Sequence, residues 1–365
     1  MKVGIVFSLG TSLEDWEESG MLSREIRLYN ELAVSVDSVT IFTYGGEADL
    51  DYADQFVENV RIVPKQWVDN DILYSLLLPV IHAKAFRDVD IVRTTQFAGS
   101  WAAVAAKHLH RNSFIHRSGY IWSLFDDRSN ASKYWIKRLA ERLTCRVADA
   151  ILTSSPHGYD YIESKYNPDC EHHVVPNYVE IEKFRPVESP PDPGTICFVG
   201  RLSPQKNLEA LIEAVAETPY SLTLVGDGPL RPDLKALAQR LEADVTFEGN
   251  VPNEDVVNIV NQHAVFVLPS HHEGMPKSLL EAMACGRAVV ASDVIGNNDV
   301  ITDGENGILC GTDADSIRDA LNDVFADNAQ RERLGRNARK TIVEEYSLEE
   351  VINLEQDVLR SVEKA

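Results

Sequence analysis

The chain repeats one pattern twice: short apolar segments typical of buried β-strands alternate with segments of helical periodicity. A proline-rich stretch at 186–194, PVESPPDPG, separates the two rounds and predicts a break in regular structure. β-branched strands that alternate with helices are typical of parallel sheets covered on both faces. At 365 residues, the chain also exceeds the usual size of a single core. We therefore expect an α/β protein with two similar halves.

The expected strands fall into a first set of seven and a second set of six. In order, they are VGIVFS, VTIFTY, VRIVP, DIVRTTQ, SFIHRSG, AILTSS and HHVVPN, then TICFVG, SLTLVG, DVTFEG, AVFVLPS, AVVASD and GILC. Amphipathic segments between them predict helices at 21–33, 99–110 and 130–148, and helical periodicity continues from 313 to the end. Ligands of open α/β sheets bind beyond the carboxyl ends of the strands, so we expect the site there.

Charge and cysteine usage exclude several classes of protein. The formal net charge of −22 disfavours nucleic acid as a partner. The five cysteines are scattered and contain no C-x-x-C, which argues against a disulfide framework or a zinc knuckle and fits a reducing cytosol. The N-terminal segment lacks the features of a signal peptide. The longest apolar run, from Ile72, is short for a membrane span and contains Pro79. These features indicate a cytoplasmic protein.

Two cations follow the first strand of the second half, in FVGRLSPQKN at 198–207. Arg201 offers a planar fork of donors, and Lys206 carries a compact charge just before a helix. Two cations at the carboxyl end of a strand suit a diphosphate leaving group. The alternative is a pair of solvated surface cations.

Two glutamates in LPSHHEGMPKSLLEAMACGRAVVAS (268–292) occupy different structural positions. Glu273 is expected in the loop after a strand, where a carboxylate can accept hydrogen bonds from sugar hydroxyls. Glu281 is expected inside the following helix, among apolar residues, where burial would require a partner or ligand. The first amides of that helix, around 275–277, offer donors to an anion. An ordinary exposed helix position remains the alternative for Glu281.

Four segments resemble the donor-site signature of the retaining GT-B glycosyltransferases of family 4. They are GRLSPQKN, LVGDGPL, PSHHEGMPKSLLEAMACGRAVVASD and the linker VVPNYVEIEKF. The similarity covers the whole C-terminal half, and the N-terminal half matches more loosely. The resemblance implies a GT-B architecture of two Rossmann-like parallel-sheet domains that face each other across a deep cleft. It implies an acceptor-binding domain at 1–180, a donor-binding domain at 181–346 and a terminal helix at 347–365 that packs back on the first domain.

The resemblance also implies roles for single residues. Arg201 and Lys206 would hold the donor diphosphate, Glu273 would contact the sugar, and Glu281 would bind the ribose. Gly226 and Asn250 would lie near the base. Donor contacts are further expected from Gly274, Met275 and Lys277.

The first half contributes fewer expected site residues. Gly10 follows the first strand, where the family has a loop near the phosphates, but SLGTSLEDWEESG lacks the usual glycine pair. His116 or Arg117 could face the cleft at the end of another strand, although a lone histidine is more often structural. The family's GG-x-x-E loop is replaced by GNNDVI at 296–301, which weakens any transfer of roles to that loop.

The resemblance implies a reaction that needs no metal and no cofactor. The substrate would be a UDP- or GDP-linked sugar, and the acceptor a hydroxyl of a lipid-linked, polysaccharide or small-molecule glycan. No protein nucleophile is visible, and the resemblance implies retention by same-face substitution, in which the departing diphosphate helps to deprotonate the acceptor hydroxyl. A nucleotide-sugar epimerase or phosphorylase of the same fold is the first alternative. The second is a catalytically silent sugar-nucleotide-binding protein, which the intact set of Arg201, Lys206, Glu273 and Glu281 disfavours.

A basic segment stands out at 128–147, RSNASKYWIKRLAERLTCRV. It contains six Lys or Arg residues and one acidic residue, Glu141. An apolar stripe is formed by Ile136, Leu139, Leu143 and Val147, beside arginines at helical spacing. The pattern suits peripheral contact with an anionic membrane, which would place the protein on the inner face of the membrane. The alternative is an ordinary helix that packs its apolar stripe on the core and exposes a basic face.

Overall fold

The chain divides into two compact units in a computed structural model that describes residues 1–119, 121–125 and 131–364. One unit is formed by Met1–Pro176 together with Ile352–Ala365, and the other by Asn177–Val351. Each unit contains one sheet, and every strand pairing in both sheets is parallel. The expected pair of α/β halves is therefore confirmed.

The first unit contains a seven-stranded sheet of order β3-β2-β1-β4-β5-β6-β7. Its strands are β1 Lys2–Val6, β2 Ser38–Phe42, β3 Val60–Val63, β4 Ile91–Thr94, β5 Ser113–Ser118, β6 Ala150–Thr153 and β7 Glu171–Val174. Its helices are α1 Leu13–Glu18, α2 Leu22–Val34, α3 Asp71–Ile81, α4 Ala83–Arg87, α5 Ser100–His110, α6 Trp122–Phe125, α7 Ala131–Val147 and α8 Pro156–Tyr166. A 3₁₀ helix covers Glu47–Gln55.

The second unit contains a six-stranded sheet of order β10-β9-β8-β11-β12-β13. Its strands are β8 Asp192–Val199, β9 Ser221–Val225, β10 Val245–Gly249, β11 His263–Leu268, β12 Ala288–Ser292 and β13 Ile308–Cys310. Its helices are α9 Leu208–Ala216, α10 Arg231–Arg240, α11 Asn253–Gln262, α12 Lys277–Ala284, α13 Ala314–Ala326 and α14 Asn328–Glu345. The last helix, α15 Leu348–Lys364, begins in this unit, and from Ile352 it belongs to the first.

Strand β8 begins earlier than the proline-rich break predicts. The break was expected to extend to residue 194, but β8 starts at Asp192 and contains Pro193. The register between β8 and β11 shifts between the pairs His263–Asp192 and Val265–Ile196. Proline has no N–H to give to a sheet and is tolerated at such irregular positions. The ladder becomes regular only after Pro193.

The central strands of both sheets are largely buried, as their apolar sequences predict, whereas the edge strands β7, β10 and β13 are partly exposed. Strand β12, for example, is buried at all five positions. Because helices cover both faces of such sheets, the polar chemistry of each unit is confined to strand ends and loops. No helix in the described ranges is both long and apolar enough to cross a membrane.

Candidate functional site

The loops that carry the expected donor-site residues emerge from one edge of the second sheet. Strands β8, β9, β10 and β11 are parallel, so their carboxyl ends lie at the same edge. The order of connection reverses between β8 and β11, which are neighbours in the sheet. Such a reversal opens a crevice at the strand ends where open α/β sheets bind ligands. Arg201 follows β8 and Glu273 follows β11, one on each side of this reversal.

The loops after β8 and β9 approach each other at backbone distance. Gly226 has a φ of +124°, and a Cβ added there would lie 2.1 Å from the carbonyl oxygen of Gly200. A Cβ on Gly228 would lie 2.3 Å from the carbonyl oxygen of Leu202. Only glycine fits at these two positions. The LVGDGPL segment thus fixes the backbone on both sides of Arg201, whose side chain remains exposed.

Lys206 and Glu273 form an ion pair in this crevice. Lys206 ends a 3₁₀ turn, Pro204–Lys206, and its Nζ lies 2.5 Å from Glu273 Oε1. Ser270 Oγ donates to the same carboxylate oxygen at 2.5 Å. The side chains of Lys206 and Glu273 are 15% and 7% exposed. Two residues 67 positions apart in sequence are therefore brought together by the adjacency of β8 and β11.

The loop that carries Glu273 is held on both sides. Gln205 Nε2 donates to the carbonyl oxygen of His272 at 2.8 Å, which ties the loop to the 3₁₀ turn. On the other side, the backbone N–H of Glu273 donates to the carbonyl oxygen of Ile295 at 3.1 Å. Gly296 has a φ of +87°, and a Cβ there would lie 2.7 Å from the carbonyl oxygen of Glu273. The GNNDVI segment thus packs closely against the backbone of the Glu273 loop and helps to fix its position.

Glu281 is buried in helix α12, and a side chain from α11 contacts it. Its residue exposure is 5%, so the alternative of an exposed helix position is wrong. Asn253 Nδ2 donates to Glu281 Oε1 at 3.3 Å. Lys183 Nζ in turn donates to Asn253 Oδ1 at 2.7 Å. A carboxylate, an amide and an ammonium group therefore form a chain of hydrogen bonds, in which each side chain limits the orientation of the next.

The loop before α12 is anchored by Asn177, which lies where the sequence passes from one unit to the other. Asn177 Nδ2 donates to the carbonyl oxygen of Met275 at 2.9 Å, and Met275 itself is buried. Helix α12 starts at Lys277, just after Gly274 and Pro276. The first N–H groups of a helix have no acceptor within it and carry the positive end of its dipole. Gly274, Met275 and Lys277 are thus placed around an edge that suits an anion.

Asn250 follows strand β10, one strand further out in the sheet. Its side chain is exposed, and the preceding Gly249 accepts a backbone hydrogen bond of 2.7 Å from Gly226. The same turn is bordered by Asp227, whose carboxylate binds Arg231 at 2.6 Å. Hydrogen bonding by the backbone N–H of Gly228 and by Arg231 lowers the pKa of Asp227. The expected base-side residues Gly226 and Asn250 therefore share one turn region.

His116 lies in the interior of the first unit. It is 0% exposed, its Nδ1 is 2.8 Å from Thr94 Oγ1, and its ring centroid is 4.1 Å from that of Phe97. Burial lowers the pKa of His116 to about 3. A neutral imidazole enclosed by apolar neighbours favours the structural alternative over a catalytic role. Gly10 is exposed in the loop that follows β1, with a φ of +76°.

Arg117 takes part in a buried ion-pair cluster rather than pointing to solvent. Arg93 Nε lies 2.6 Å from Glu355 Oε1, and both side chains are 1% exposed. Arg117 Nη1 lies 3.4 Å from Glu355 Oε2, and Arg117 Nη2 donates to the carbonyl oxygen of Pro176 at 3.2 Å. Since Glu355 belongs to α15, the cluster fixes the terminal helix within the first unit.

Sequence reasoning missed the residues that hold the expected ligating groups. Asn253 contacts Glu281 directly, and Lys183 contacts Glu281 only through Asn253. Ser270 contacts Glu273 directly. Asn253 carries a weak signal, since VPNED marks a helix start in the loop after β10. Ser270 precedes Glu273 by three residues in the same loop, where a short hydroxyl side chain can reach back. Lys183 has no such local signal, because its partner lies 70 positions away.

Two family models match adjoining parts of the chain. Residues 179–341 match the model described as Glycosyl transferases group 1. Residues 26–183 match the model described as Glycosyltransferase Family 4. Together the two matches include most of both units.

Curated relatives are similar over part of their length. An alpha-D-kanosaminyltransferase of Streptomyces kanamyceticus is 30% identical over 258 residues, 64% of this chain and 66% of the relative. An alpha-maltose-1-phosphate synthase of Mycolicibacterium smegmatis is 28% identical over 261 residues, 63% of this chain and 67% of the relative. A UDP-Gal:alpha-D-GlcNAc-diphosphoundecaprenol alpha-1,3-galactosyltransferase of Escherichia coli is 30% identical over 237 residues, 59% of each. The matches thus span about two thirds or less of these relatives.

Solved structures share the fold at low sequence identity. Sucrose-phosphate synthase from Thermosynechococcus elongatus superposes with a TM-score of 0.84 at 21% identity over 99% of each chain. HepE of Anabaena in complex with UDP superposes with a TM-score of 0.82 at 18% identity over 99% of this chain and 100% of that one. With the two parallel sheets, these likenesses establish a GT-B fold.

Proposed function

Because this chain belongs to the group 1 and family 4 glycosyltransferases, we propose that it transfers a sugar from a nucleotide-diphosphate sugar to an acceptor hydroxyl with retention at the anomeric carbon. One observation carries the proposal: Lys206 Nζ lies 2.5 Å from Glu273 Oε1 at the point where the connection order of the second sheet reverses. A cation and a carboxylate at this position match the two ends of a glycosyl diphosphate.

Lys206 and Arg201 stabilise the leaving group in this proposal. When the bond from the anomeric carbon to the phosphate oxygen breaks, negative charge develops on the diphosphate. A positioned cation stabilises that charge more in the transition state than in the ground state, which lowers the barrier. Arg201 is exposed and adds a planar fork of donors for the phosphate oxygens. The two side chains supply the neutralisation, so the proposal requires no metal and no cofactor.

Glu273 holds the sugar in this proposal. Its carboxylate accepts from Lys206 and Ser270 through Oε1, while Oε2 is the oxygen left to receive sugar hydroxyls. The acceptor oxygen bonds to the anomeric carbon on the face that the diphosphate leaves. The acceptor proton passes to the departing phosphate oxygen, so no protein nucleophile is needed. The product is a retained glycoside and a free nucleoside diphosphate.

Glu281 binds the ribose of the donor in this proposal. It is 5% exposed in the helix that follows the Glu273 loop, and the two hydroxyls of a ribose can donate to a carboxylate held in this way. Its neighbour Asn253 donates to one carboxylate oxygen at 3.3 Å. Met275, Lys277 and Gly274 surround the start of α12, where the N–H groups suit a phosphate. Gly226 and Asn250 border the base.

The nature of the sugar donor and the acceptor is proposed from chemistry and from relatives. HepE of Anabaena was solved with UDP and with UDP-glucose, which supports a UDP-linked donor, and a GDP-linked donor is the second choice. The E. coli relative acts on a diphosphoundecaprenol-linked sugar, which supports a lipid-linked acceptor. Polysaccharide and small-molecule acceptors fit the same reaction. A lipid-linked acceptor would place the protein at the inner face of the membrane in glycan synthesis for the cell envelope, with peripheral contact through 128–147.

Calorimetry with free UDP and GDP tests the donor site. The wild-type protein is expected to bind one of them, and Arg201→Ala is expected to bind it about tenfold or more weakly, since a charge-assisted phosphate contact is lost. Arg240→Ala, an exposed arginine at the end of α10, is the matched control. Unchanged affinity in Arg201→Ala would refute its phosphate role. A product with inverted anomeric configuration by NMR would refute retention, and epimerised donor would favour the epimerase alternative.

A further inference from the structure

The apolar stripe of α7 points outward, not toward the core. Ile136, Leu139 and Leu143 are 69%, 68% and 48% exposed. The inner face of the helix instead carries Tyr134, Glu141, Thr144 and Cys145, all buried. The alternative in which this stripe packs on the core is therefore wrong. Large apolar side chains exposed together on one helix mark an interaction surface.

Polar partners explain why α7 is oriented this way. Glu141 is 0% exposed, and its carboxylate accepts from the backbone N–H of Ser123 at 3.0 Å and from Tyr166 at 2.5 Å. Ser100 Oγ, on α5, lies 2.7 Å from Thr144 Oγ1. Rotating the helix to bury Ile136 and Leu139 would break these bonds and leave Glu141 in solvent.

Helix α3 has a second outward apolar stripe. Ile72, Leu73, Leu76 and Val80 are 59%, 50%, 56% and 61% exposed, at a spacing that places them on one face. The opposite face is buried and includes Tyr74. The apolar run that the sequence shows from Ile72 is thus a surface helix that turns much of its apolar area to solvent.

Helix α5 lies between α3 and α7 and joins them into one layer. Trp101 Nε1, on α5, donates to Ser75 Oγ of α3 at 2.8 Å. His110 Nε2 lies 2.7 Å from the carbonyl oxygen of Pro79, also on α3. Contact with α7 comes through Ser100 and Thr144. The outward stripes of the two outer helices therefore belong to one face of the first unit, which we call the three-helix face.

Exposed apolar side chains concentrate on the three-helix face. Of the sixteen exposed large apolar side chains in the described part of the chain, ten lie on α3, α5 and α7. They are Ile72, Leu73, Leu76, Leu77, Val80, Leu109, Trp135, Ile136, Leu139 and Leu143. This clustering distinguishes the face from the scattered apolar residues of an ordinary protein surface.

The charge of the same face is opposite to that of the protein. The described side chains of α3, α5 and α7 include five Lys or Arg residues and two acidic residues, in a chain of net charge −22. Of the two acidic residues, Glu141 is buried. Arg142 and Arg146 are exposed beside Leu139 and Leu143. The beginning of the basic segment, 128–130, lies outside the described residues.

We propose that the three-helix face docks on an anionic lipid bilayer, with the apolar stripes of α3 and α7 inserted at the level of the headgroups and the arginines of α7 on lipid phosphates. Helices with an apolar face and flanking Lys or Arg residues bind in this way in the plane of the interface. Arginine stems follow the apolar surface while their guanidinium groups reach the headgroups, and tryptophan such as Trp135 favours this boundary. A second copy of this chain would bring like charges of α7 together, which disfavours self-association.

The proposal deepens the proposed function, since it names the surface from which a lipid-linked acceptor would be reached. The vesicle experiment needs neither donor nor acceptor, so its outcome is independent of UDP binding. Vesicle binding without nucleotide binding would refute the transferase proposal alone. Nucleotide binding without vesicle binding would refute the three-helix face alone.

Co-sedimentation with sucrose-loaded vesicles of phosphatidylcholine, with and without phosphatidylglycerol, tests the face. Wild type is expected to bind the anionic vesicles, and less as salt rises, because salt screens the arginines. Variants I136Q/L139Q and L73Q/L76Q are each expected to bind about tenfold or more weakly, since apolar area no longer inserts. R142Q/R146Q is expected to lose most of the preference for anionic over neutral vesicles.

Val34→Gln is the matched control, because Val34 is 78% exposed at the end of α2 and outside the face. It is expected to bind as wild type does. All substitutions are at exposed positions, and circular dichroism melting curves check that folding is unchanged. Wild-type binding by L73Q/L76Q would show that α3 takes no part in docking and would overturn the three-helix face. If sedimentation velocity shows a wild-type dimer that the I136Q/L139Q substitutions dissociate, the three-helix face binds a second copy of the chain, and the membrane proposal is overturned.

Discussion

The ammonium group of Lys206 lies 2.5 Å from Oε1 of Glu273, and the two side chains differ in their access to water when the partner is removed. Lys206 is 15% exposed on a flexible stem, so its charge can turn to water. Glu273 is 7% exposed in a loop held by its own backbone N–H and by Gly296 behind it. Removal of Lys206 is therefore expected to destabilise the fold more than removal of Glu273, although both residues belong to the same proposed catalytic site.

Glu273→Ala is expected to lower kcat by about 10²- to 10³-fold with little change in stability. The contact with the sugar is lost, but Lys206 can regain solvent. Steady-state kinetics and thermal melting measure the two effects. Turnover at the wild-type rate would contradict the assignment.

Lys206→Ala is expected to lower both kcat and stability, by about 3 kcal/mol or more in unfolding free energy, because Glu273 would stay buried without its cation. The double variant Lys206→Ala with Glu273→Ala is expected to regain part of that stability but none of the activity. Urea unfolding of all four proteins gives the coupling energy. Additive losses of stability would show that the pair contributes nothing as a pair.

Asn253→Ala is expected to weaken binding of the nucleoside diphosphate by about five- to tenfold and to change kcat less. Asn253 donates to Glu281 and accepts from Lys183, so its loss frees the proposed ribose carboxylate to reorient. Calorimetry with the bound nucleotide measures the effect. Asn258→Ala, exposed on the same helix, is the control and should bind normally. Equal affinities of the two variants would show that Asn253 has no positioning role.

The strands and the donor-site loops were predictable because their determinants are local. A run such as AVVAS fits a strand buried on both faces, and it became β12. Arg201 and Glu273 each follow such a strand, so sheet adjacency alone brings their loops to one edge. The start of β8 was misplaced because Pro193 is tolerated where its register shifts, which depends on the partner strand β11.

The orientation of α7 was not predictable from periodicity. Periodicity shows that Ile136, Leu139 and Leu143 share a face, but not whether that face meets the core. Here the inner face is fixed by Glu141, whose partners Ser123 and Tyr166 are distant in sequence. The burial of His116 has a similar cause, since its neighbour Thr94 belongs to another strand.

Glu355→Gln is expected to destabilise the first unit by about 3 to 5 kcal/mol, because Arg93 would keep its buried charge without a carboxylate. Arg93 and Glu355 are both 1% exposed, so solvent cannot replace the lost partner. Urea unfolding measures the change. Glu349→Gln, at an exposed position of the same helix, is the matched control and should be neutral within about 0.5 kcal/mol. Similar stabilities for both variants would contradict a structural role for the cluster.

His116 is expected to make the protein less stable as pH falls below neutrality. Burial lowers its folded-state pKa to about 3, so the folded protein keeps the imidazole neutral, while the unfolded chain takes up a proton below about pH 6.5. Unfolding therefore binds a proton in this range. Above the unfolded-state pKa, this histidine costs the protein no stability. As pH falls from there toward the folded-state pKa, the unfolding free energy decreases by up to about 1.4 kcal/mol per pH unit.

His116→Gln removes this titration and should flatten the fall in unfolding free energy from about pH 7 to about pH 5, even if its stability at neutral pH is lower. The glutamine amide can still bond Thr94, which limits the loss of packing. His108→Gln is the control, since His108 is exposed on α5 and its removal should leave the slope unchanged. Urea unfolding at three pH values compares the three proteins. Parallel pH profiles for wild type and His116→Gln would mean that the imidazole is protonated inside the fold, and so is not held neutral by burial.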